Sequence, residues 1–383
     1  MGTASTMACI TAALGMMPLR GASAPAVSSA RARVAEETGA NAVKAAHSKR
    51  KPQDVLSKES FLNAITVLQA IGGSTNAVVH LMAIANRHPK VQSVITLQTF
   101  EDVGRKTPLL LDLKPSGDNY MTDFHNAGGM LALLHTLRPL LHLSAMNITG
   151  QTLGEMLDAS PFREFPLSRQ IIRPLSDPLY PSSSLIVLHG NIAPNGAVMK
   201  ASASKYRNLL SHTGPAVVFE NSADLAKRID DPALEVTADS VLVLKNIGPI
   251  GNPGMPEAGL LPIPRKLAAA GVKDMLRISD GRMSGTAGGT IILHVSPESA
   301  VTESPFGIVQ SGDHITCDID ARKLHLEISD EELKARIEAR KSAAGAAEAP
   351  RLRGYRGLYE RSVNQAQDGA DFDFLTADGE SRD

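Results

Sequence analysis

The spacing of apolar residues changes near residue 160 of the 383-residue chain. Before that point, apolar side chains recur at the three- and four-residue spacing of amphipathic helices, with glycine breaks between runs. After it, short apolar runs alternate with Gly- and Pro-rich loops, which is typical of a closed or sandwich-like β domain. The pattern therefore predicts helices followed by strands, and the chain length fits two domains.

Seven short apolar runs in the second part are predicted to be β-strands. They cover residues 185–188, 216–219, 241–244, 275–278, 290–295, 315–319 and 324–328. The polar connection at 320–323 predicts a hairpin between the last two. In the first part, helices are expected over residues 5–14, 30–47, from 57, after 76 and over 121–137, with a buried strand at 109–113. Residues 160–182, rich in Pro, Ser and Arg, favour a linker.

Composition excludes several classes of protein. The formal net charge is −1 and no Lys/Arg cluster is present, which argues against nucleic-acid binding. No apolar run approaches the ~20 residues of a membrane span. The two cysteines form no disulfide framework, so a reducing compartment is expected. The start at Met1 lacks signal-peptide features, and a cytoplasmic location is predicted, with a mitochondrial one as the alternative.

Two loops of the second part carry polar residues suited to ligands. Residues 189–196 present Asn191 directly after a strand, although Asn and Gly also serve turns that need positive φ. Residues 248–257 are stiffened by Gly and Pro and end on Glu257. A carboxylate on a rigid loop suits Mg²⁺, and the alternative is a structural loop with a solvated Glu.

A third loop, residues 280–289, holds Arg282 and Ser284 among glycines. Successive amides flanked by glycine can bind an anion, and the alternative is a plain β-turn. Ser284 has no adjacent His to activate it as a nucleophile or base. Cys9 and Cys317 both lie in apolar surroundings, so core packing is expected for each.

Taken together, the short motifs of this chain resemble those of the dihydroxyacid, phosphogluconate and sugar-acid dehydratases. Six of them occur in the family's order, over residues 2–7, 72–76, 124–129, 190–194, 254–257 and 280–285. Each motif alone is weak evidence, but together they extend over most of the chain. Residues 2–7 and 364–375 look most similar to the arabinonate- or xylonate-type sugar-acid branch.

The resemblance implies a hydro-lyase that removes water from a 2,3-dihydroxy acid and yields a 2-keto-3-deoxy acid. In the family, a [2Fe–2S] cluster held by three cysteines acts as a Lewis acid on the 3-hydroxyl, and Mg²⁺ binds the substrate carboxylate and 2-hydroxyl. By resemblance, Ser284 is the catalytic base with Thr286 beside it, and Glu257 is a Mg²⁺ ligand. Substrate contacts are implied for Arg282, Asn191, Ser74, Thr75, Asn76 and His125.

The resemblance also implies the fold class α/β, with a truncated α/β/α N-terminal domain followed by a β-barrel-like C-terminal domain. Residues 1–160 would be a remnant of the first domain, 161–345 the barrel-like domain, and 346–383 a tail that packs on the body. The cluster cysteines are absent, since Cys9 and Cys317 do not occupy matching positions. We therefore expect only the C-terminal two-thirds of such a protein, inactive as a fragment.

The expected partner is a small hydroxy acid, and the full-length form should be a homodimer or homotetramer. Two alternatives stay open. One is a dihydroxyacid dehydratase of branched-chain amino-acid biosynthesis. The other is a non-catalytic binding or assembly protein derived from the family.

Overall fold

Helices build the first of two units, Met1–Leu185, in a computed structural model that describes residues 1–346 and 352–377. The helices are α1 Thr3–Ala13, α2 Ser29–His47, α3 Pro52–Val55, α4 Lys58–Ala70, α5 Asn76–Asn86, α6 Leu97–Gly104, α7 Met121–Asn126, α8 Gly129–Leu137, α9 Leu153–Ala159 and α10 Pro166–Ile171. Helix α4 runs through the core, where Phe61, Ile65 and Leu68 are fully buried. Such burial fits its apolar sequence, because a helix that is apolar on most sides must be covered by others.

The expected α/β/α architecture of this unit is wrong. Residues 1–185 are all described and contain no strand, only isolated β-bridges. The predicted strand at 109–113 forms single bridges from Leu109 to Tyr180 and from Leu111 to Ile172. Because consecutive residues do not pair with one partner strand, no sheet develops from this segment.

The same bridges show that part of the predicted linker belongs to the first unit. Ile172 and Tyr180 lie in the segment expected to be a linker, yet both pair with the first unit, and α10 forms within that segment. The second unit begins at Ile186 instead of residue 161. The Pro-rich composition therefore marks an irregular part of the first unit, since proline limits regular pairing without preventing packing.

The second unit is a closed eight-stranded barrel, which confirms the expected β-barrel-like domain. The strands are β1 Ile186–Gly190, β2 Ala193–Met199, β3 Ser211–Phe219, β4 Val241–Leu244, β5 Arg277–Ser279, β6 Ile291–Ser296, β7 His314–Asp318 and β8 Lys323–Leu326. Their order around the barrel is β1-β2-β6-β5-β4-β3-β7-β8. Strands β7 and β8 form the predicted antiparallel hairpin, whereas β2 was not predicted. Helices α11 Ser222–Arg228, α12 Arg265–Ala269, α13 Asp330–Ala346 and α14 Gly354–Ser362 complete the unit.

The strands of the barrel place alternate side chains on opposite faces, as the two-residue period of a strand requires. In β4, Val241 and Val243 belong to the inner core, while Leu242 and Leu244 pack in a second cluster outside it. Two layers of apolar contacts therefore hold β4. This double burial fixes the point at which the following loop leaves the barrel.

The segment after α13 returns to the barrel. Gln365 bonds to Glu298, and Gln367 bonds to Ser296 at the end of β6. These contacts lie within the tail predicted at 346–383, of which residues 347–351 and 378–383 are outside the described residues. In the described parts of the chain, no helix has the length and apolarity needed to cross a membrane.

Candidate active site

Two loops of the second unit, both singled out from the sequence, lie against each other. The metal-type loop, residues 248–257, follows β4, and the serine loop, residues 280–289, follows β5. The amide of Gly259 donates to the Arg282 carbonyl at 2.8 Å, and Arg282 Nε donates to the Met255 carbonyl. Because β4 and β5 are parallel neighbours, both loops leave the barrel at the same edge.

Asp280 anchors the start of the serine loop. Its side chain is fully buried and accepts hydrogen bonds from Ile247 N at 3.0 Å, Ser299 N at 2.8 Å and Ser299 Oγ at 2.5 Å. Burial raises the pKa of Asp280 above its ordinary value, and these hydrogen bonds oppose that rise. The carboxylate therefore ties three segments together instead of facing a ligand.

Glu298 anchors the metal-type loop in the same way. Its carboxylate, 1% exposed, accepts from the amides of Ile250 and Gly251, each at 2.8 Å. Burial raises the pKa of Glu298, and the two hydrogen bonds from the loop amides are the largest effects that lower it. A Cβ at Gly248 would lie 2.6 Å from Glu298 Oε2, so the close approach of loop and carboxylate requires glycine there.

The predicted catalytic pair lies on the outer part of the serine loop. Ser284 Oγ and Thr286 Oγ1 are 3.0 Å apart; Ser284 is half-buried and Thr286 exposed. The Ser284 carbonyl also accepts from Ala287 N at 3.0 Å, so the β-turn weighed as an alternative is present as well. The turn presents the hydroxyl pair at the surface of this unit.

Arg282 and Glu257 link the two loops electrostatically. Burial lowers the pKa of the half-buried Arg282, and the nearby carboxylate of Glu257 opposes that shift. Glu257 itself is exposed. The structure thus brings Glu257, Arg282 and Ser284 to one edge of the barrel. Two cavities of this unit, of about 810 and 570 Å³, are lined by other residues.

Asn191, predicted to contact substrate, has both polar side-chain atoms engaged by the barrel. Its Nδ2 donates to the Leu326 carbonyl at 2.8 Å, and its Oδ1 accepts from Leu326 N at 2.7 Å. This pairing ties the β1–β2 connection to β8. The geometry favours the structural interpretation of the 189–196 loop, which stood beside the ligand-binding one.

In the first unit, the 2–7 and 72–76 motifs form one buried cluster of hydroxyl and amide groups. Ser74 Oγ lies 3.0 Å from Thr3 Oγ1, and Asn76 Nδ2 donates to Thr3 Oγ1 at 2.8 Å. Ser74 N also donates to Thr6 Oγ1 at 3.1 Å. Ser74 and Asn76 are fully buried, as Thr75 nearly is.

His125, the fourth substrate contact expected in the first unit, has a different neighbour. Its Nδ1 lies 3.4 Å from Ser23 Oγ, and its side chain is half-buried. The four predicted contacts of this unit therefore divide into the buried 74–76 group and a separate histidine. Their role in substrate binding stays a prediction.

Cofactor ligands are incomplete among the described residues. No group of three or more His, Cys, Asp or Glu side chains in the described ranges could hold a metal ion. Cys9 and Cys317 belong to different units, and burial raises the pKa of each thiol to about 12. Buried neutral thiols do not fit cluster ligation, which needs thiolates. Glu257 offers a single carboxylate, and Mg²⁺ needs further oxygen ligands.

Sequence reasoning missed the residues that hold the site in place. Glu298 and Ser299 follow β6, and Gln365 comes from the tail. The available signal was a carboxylate and a serine among small residues directly after an apolar strand. Lys200 was also missed: it is 8% exposed, and its Nζ has no hydrogen-bond partner among the residues that the structure describes. Burial lowers its pKa to about 7.

Comparison with known families matches both parts of the chain. The model described as "Dihydroxy-acid/6-phosphogluconate dehydratase N-terminal" matches residues 1–156. The corresponding C-terminal model matches residues 170–370, including both loops of the site. The expectation that the chain holds only the C-terminal two-thirds, with a truncated first domain, is therefore not borne out, because the N-terminal model is matched as well.

Individual relatives align along nearly all of this chain. It is 44% identical to the 6-deoxy-6-sulfo-D-gluconate dehydratase of Pseudomonas putida, over 98% of this chain and 63% of the relative. It is 44% identical to the L-arabonate dehydratase of Azospirillum brasilense, over 96% and 62%. It is 37% identical to the dihydroxy-acid dehydratase of Caldicellulosiruptor saccharolyticus, over 97% and 64%.

The chain thus spans just under two thirds of the length of these relatives. The relatives named here are dehydratases, and the motif order seen in the sequence agrees with both matched models. The chain belongs to the dihydroxy-acid/6-phosphogluconate dehydratase family.

Proposed function

We propose that this chain serves the dehydration of a sugar (aldonic) acid to a 2-keto-3-deoxy acid. The observation that carries the proposal is the joined pair of loops, which places Ser284, Arg282 and Glu257 at one edge of the barrel. A base, a cation and a carboxylate on two joined loops match what such an elimination needs from the protein.

Ser284 is the proposed base. It takes the C2 proton of the substrate, the C3–O bond breaks, and the departing hydroxide takes up a proton from solvent to leave as water. The resulting enol takes up a proton at C3 and releases its hydroxyl proton, giving the 2-keto acid. Thr286, 3.0 Å from Ser284, orients the hydroxyl. The cationic Arg282 two residues away favours the alkoxide form of the serine.

Arg282 also suits the substrate carboxylate. Its Nε donates to the Met255 carbonyl. This hydrogen bond fixes the orientation of the guanidinium and of its terminal amino groups. Planar guanidinium groups bind carboxylates through two parallel hydrogen bonds. Glu257 nearby supplies a counter-charge that keeps the arginine ionised despite its burial.

The sugar-acid class is favoured by the degree of similarity. Relatives named for sugar acids are 42–44% identical to the chain, whereas the dihydroxy-acid dehydratases compared with it are 36–39% identical. We extend the substrate class of the former to this chain. The branched-chain dihydroxy acid is the second candidate substrate.

We propose the [2Fe–2S] cluster and Mg²⁺, which the resemblance implies, as cofactors. Glu257 is the one residue we assign toward Mg²⁺. The described residues provide no complete ligand set for either cofactor, so the steps above use the chain's own groups. A homodimer or homotetramer and a cytoplasmic or mitochondrial location are likewise proposed.

The comparisons do not support the expectation that this chain is inactive alone, so its activity is the direct test. The purified chain, reconstituted with iron, sulfide and Mg²⁺, is assayed for 2-keto acid formation from xylonate, arabinonate and dihydroxyisovalerate. Ser284→Ala is compared with Ser222→Ala, an exposed serine at the start of α11.

We expect turnover of an aldonic acid that Ser284→Ala abolishes and Ser222→Ala retains. Preference for dihydroxyisovalerate would replace the sugar-acid assignment. Sugar-acid binding without turnover would favour a non-catalytic binding protein. Turnover that survives Ser284→Ala would remove the proposed base.

A further inference from the structure

We propose that the buried ion pair of Asp274 and Arg277 is a positioning pair that joins the end of the serine loop to the segment leaving the metal-type loop. Arg277 Nη2 lies 2.6 Å from Asp274 Oδ1, and the two side chains are 7% and 4% exposed. Neither residue lies in the six sequence motifs or among the groups assigned to the reaction. Arg277 is the first residue of β5, and the serine loop follows this strand.

Asp274 holds the point at which the serine loop enters β6. Its Oδ2 accepts from Thr290 N and from Thr290 Oγ1, each at 2.8 Å, and Thr290 is fully buried. Because β5 and β6 are parallel, the loop has to return to the start of β5 before β6 begins. Asp280 holds the first residue of the loop and Asp274 the residue after its last, so both ends are bonded to buried carboxyl groups.

Gly289, the last residue of the serine loop, shows how closely the loop approaches the pair. Its φ is +113°, and an added Cβ would overlap Arg277 Nη2 and lie 2.8 Å from Asp274 Oδ1. Glycine is therefore required both for its backbone angle and for the space that the ion pair occupies. The Gly289 amide also donates to the Ala203 carbonyl at 3.2 Å, which ties the same point to the segment after β2.

The other terminal nitrogen of Arg277 bonds to the segment that leaves the metal-type loop. Nη1 donates to the Leu261 carbonyl at 3.0 Å, and Leu261, four residues after Glu257, is fully buried. A planar guanidinium holds a carboxylate and a carbonyl in fixed relative positions, which the point charge of a lysine does not. One side chain thus sets the segments that follow the two loops relative to each other.

Stability alone does not account for this ion pair. Arg277 Nε is buried and has no hydrogen-bond partner among the residues that the structure describes. Burial of two charges costs desolvation free energy, and apolar side chains of similar volume are often equally or more stabilising. The bonds to Thr290 and Leu261 support a role in geometry, because they fix the segments behind Ser284 and Glu257.

Thr290→Val tests the bond that holds the serine loop. Valine keeps the shape of the side chain and removes the hydroxyl, which donates to Asp274 and lies 2.6 Å from Ser204 Oγ. Amide hydrogen exchange of the ligand-free chain should become about threefold to tenfold faster in peptides that cover residues 280–290. Thr290→Ser keeps the hydroxyl and should restore the exchange of the wild type.

Arg277→Lys tests the bond to Leu261. Lysine keeps a charge beside Asp274 but loses the second, fixed donor, so exchange should become about threefold to tenfold faster at residues 258–264. Peptides of β4 should not change, and neither should Asp230→Asn, which breaks an exposed ion pair with Arg265. Unchanged exchange at the target segment of either variant, or equal acceleration throughout the second unit, would overturn the proposal.

The catalytic consequence rests on the proposed function, whereas the exchange measurement does not. In an active preparation, Thr290→Val should lower kcat about threefold to tenfold with a smaller change in KM, because the base is displaced in the transition state, and Thr290→Ser should restore kcat. Faster exchange in a chain without turnover would keep the positioning role and reject the function. Turnover that depends on Ser284, together with unchanged exchange in Thr290→Val, would do the reverse.

Discussion

Both units contain a group of hydroxyl-bearing motif residues, but the two groups differ in charge and exposure. In the first unit, Thr3, Ser74 and Asn76 bond to one another as neutral groups, with Ser74 and Asn76 fully buried. In the second, Ser284 is half-buried on a loop that also carries Arg282, which interacts with Glu257. The difference indicates that the first group is held by its own hydrogen bonds, whereas the loops of the second are held by two buried carboxyl groups, Asp280 and Glu298.

The two carboxyl groups each hold several backbone and side-chain donors at once. Each carboxylate, Asp280 or Glu298, accepts at least three hydrogen bonds from other segments. A hydrogen bond is worth about 0.5–1.5 kcal/mol, and a buried partner left unsatisfied costs about 1–3 kcal/mol. Because each carboxyl group holds several bonds, the second unit should respond more strongly to substitution, and the following predictions are ordered by expected size.

The largest effect is expected for Ser284→Ala. A positioned general base contributes about 10²- to 10⁴-fold to a rate, so kcat for an aldonic acid should fall by that factor. The circular dichroism spectrum and thermal midpoint should stay those of the wild type, because the side chain is half-exposed. A fall below tenfold in steady-state assays would assign the base role elsewhere.

Lys200 should make the stability of the second unit depend on pH. Burial lowers its pKa from 10.5 to about 7, so between these values the unfolded chain binds more protons than the folded one. The free energy of unfolding should therefore rise with pH across this window, by at most about 1.4 kcal/mol per unit. Denaturant titrations at pH 7 to 10 should show a flatter dependence for Lys200→Met.

The control for that titration is Lys205→Met, at an exposed lysine five residues away. It should keep the wild-type pH dependence. Identical slopes for the wild type and Lys200→Met would mean that the amine is protonated in the fold.

Glu298→Gln should cost about 2 kcal/mol in the local stability of the metal-type loop. Glutamine offers one acceptor oxygen, so at least one of the amides of Ile250 and Gly251 loses its partner. Hydrogen exchange at residues 248–260 measures the change. The exposed Glu235→Gln serves as the control and should differ from the wild type by less than about 0.5 kcal/mol.

The smallest effect is expected in the neutral cluster. Thr3→Val removes the oxygen that accepts from Asn76 Nδ2 and should destabilise the start of α5 by about 1 kcal/mol. Exchange of the α5 amides measures this loss. A cost equal to or above that of Glu298→Gln would break the contrast between the two units.

Much of the fold followed from the periodicity of the sequence. The breaks at glycine separated α4 from α5 and α7 from α8, and seven of the eight strands lay at predicted apolar runs. Strand β2 was not predicted because Pro194, Asn195 and Gly196 interrupt its apolar alternation. Pro194 and Asn195 are exposed. Pairing with β1 and β6 stabilises this strand despite its turn-forming residues.

The site was predictable only in its exposed parts. Ser284 and Glu257 stood in unusual Gly-rich loops, but Glu298 and Gln365 lie 41 and 108 residues beyond Glu257. No local sequence pattern predicts which distant side chain will accept a hydrogen bond from a loop amide. Such contacts form only when closure of the barrel brings distant segments together. The sequence also suggested a ligand role for Asn191, whose amide the barrel uses to bond Leu326.

Glu257 and Ser284 are proposed to act on the same bound hydroxy acid. A double-mutant cycle tests this proposal most directly: calorimetry measures aldonic-acid affinity in the presence of Mg²⁺ for the wild type, Glu257→Gln, Ser284→Ala and the double variant. We predict a coupling energy of at least about 0.5 kcal/mol, because substitutions at two residues that contact one ligand have non-additive effects on its binding free energy. Strictly additive effects, or no binding by the wild type, would contradict the account.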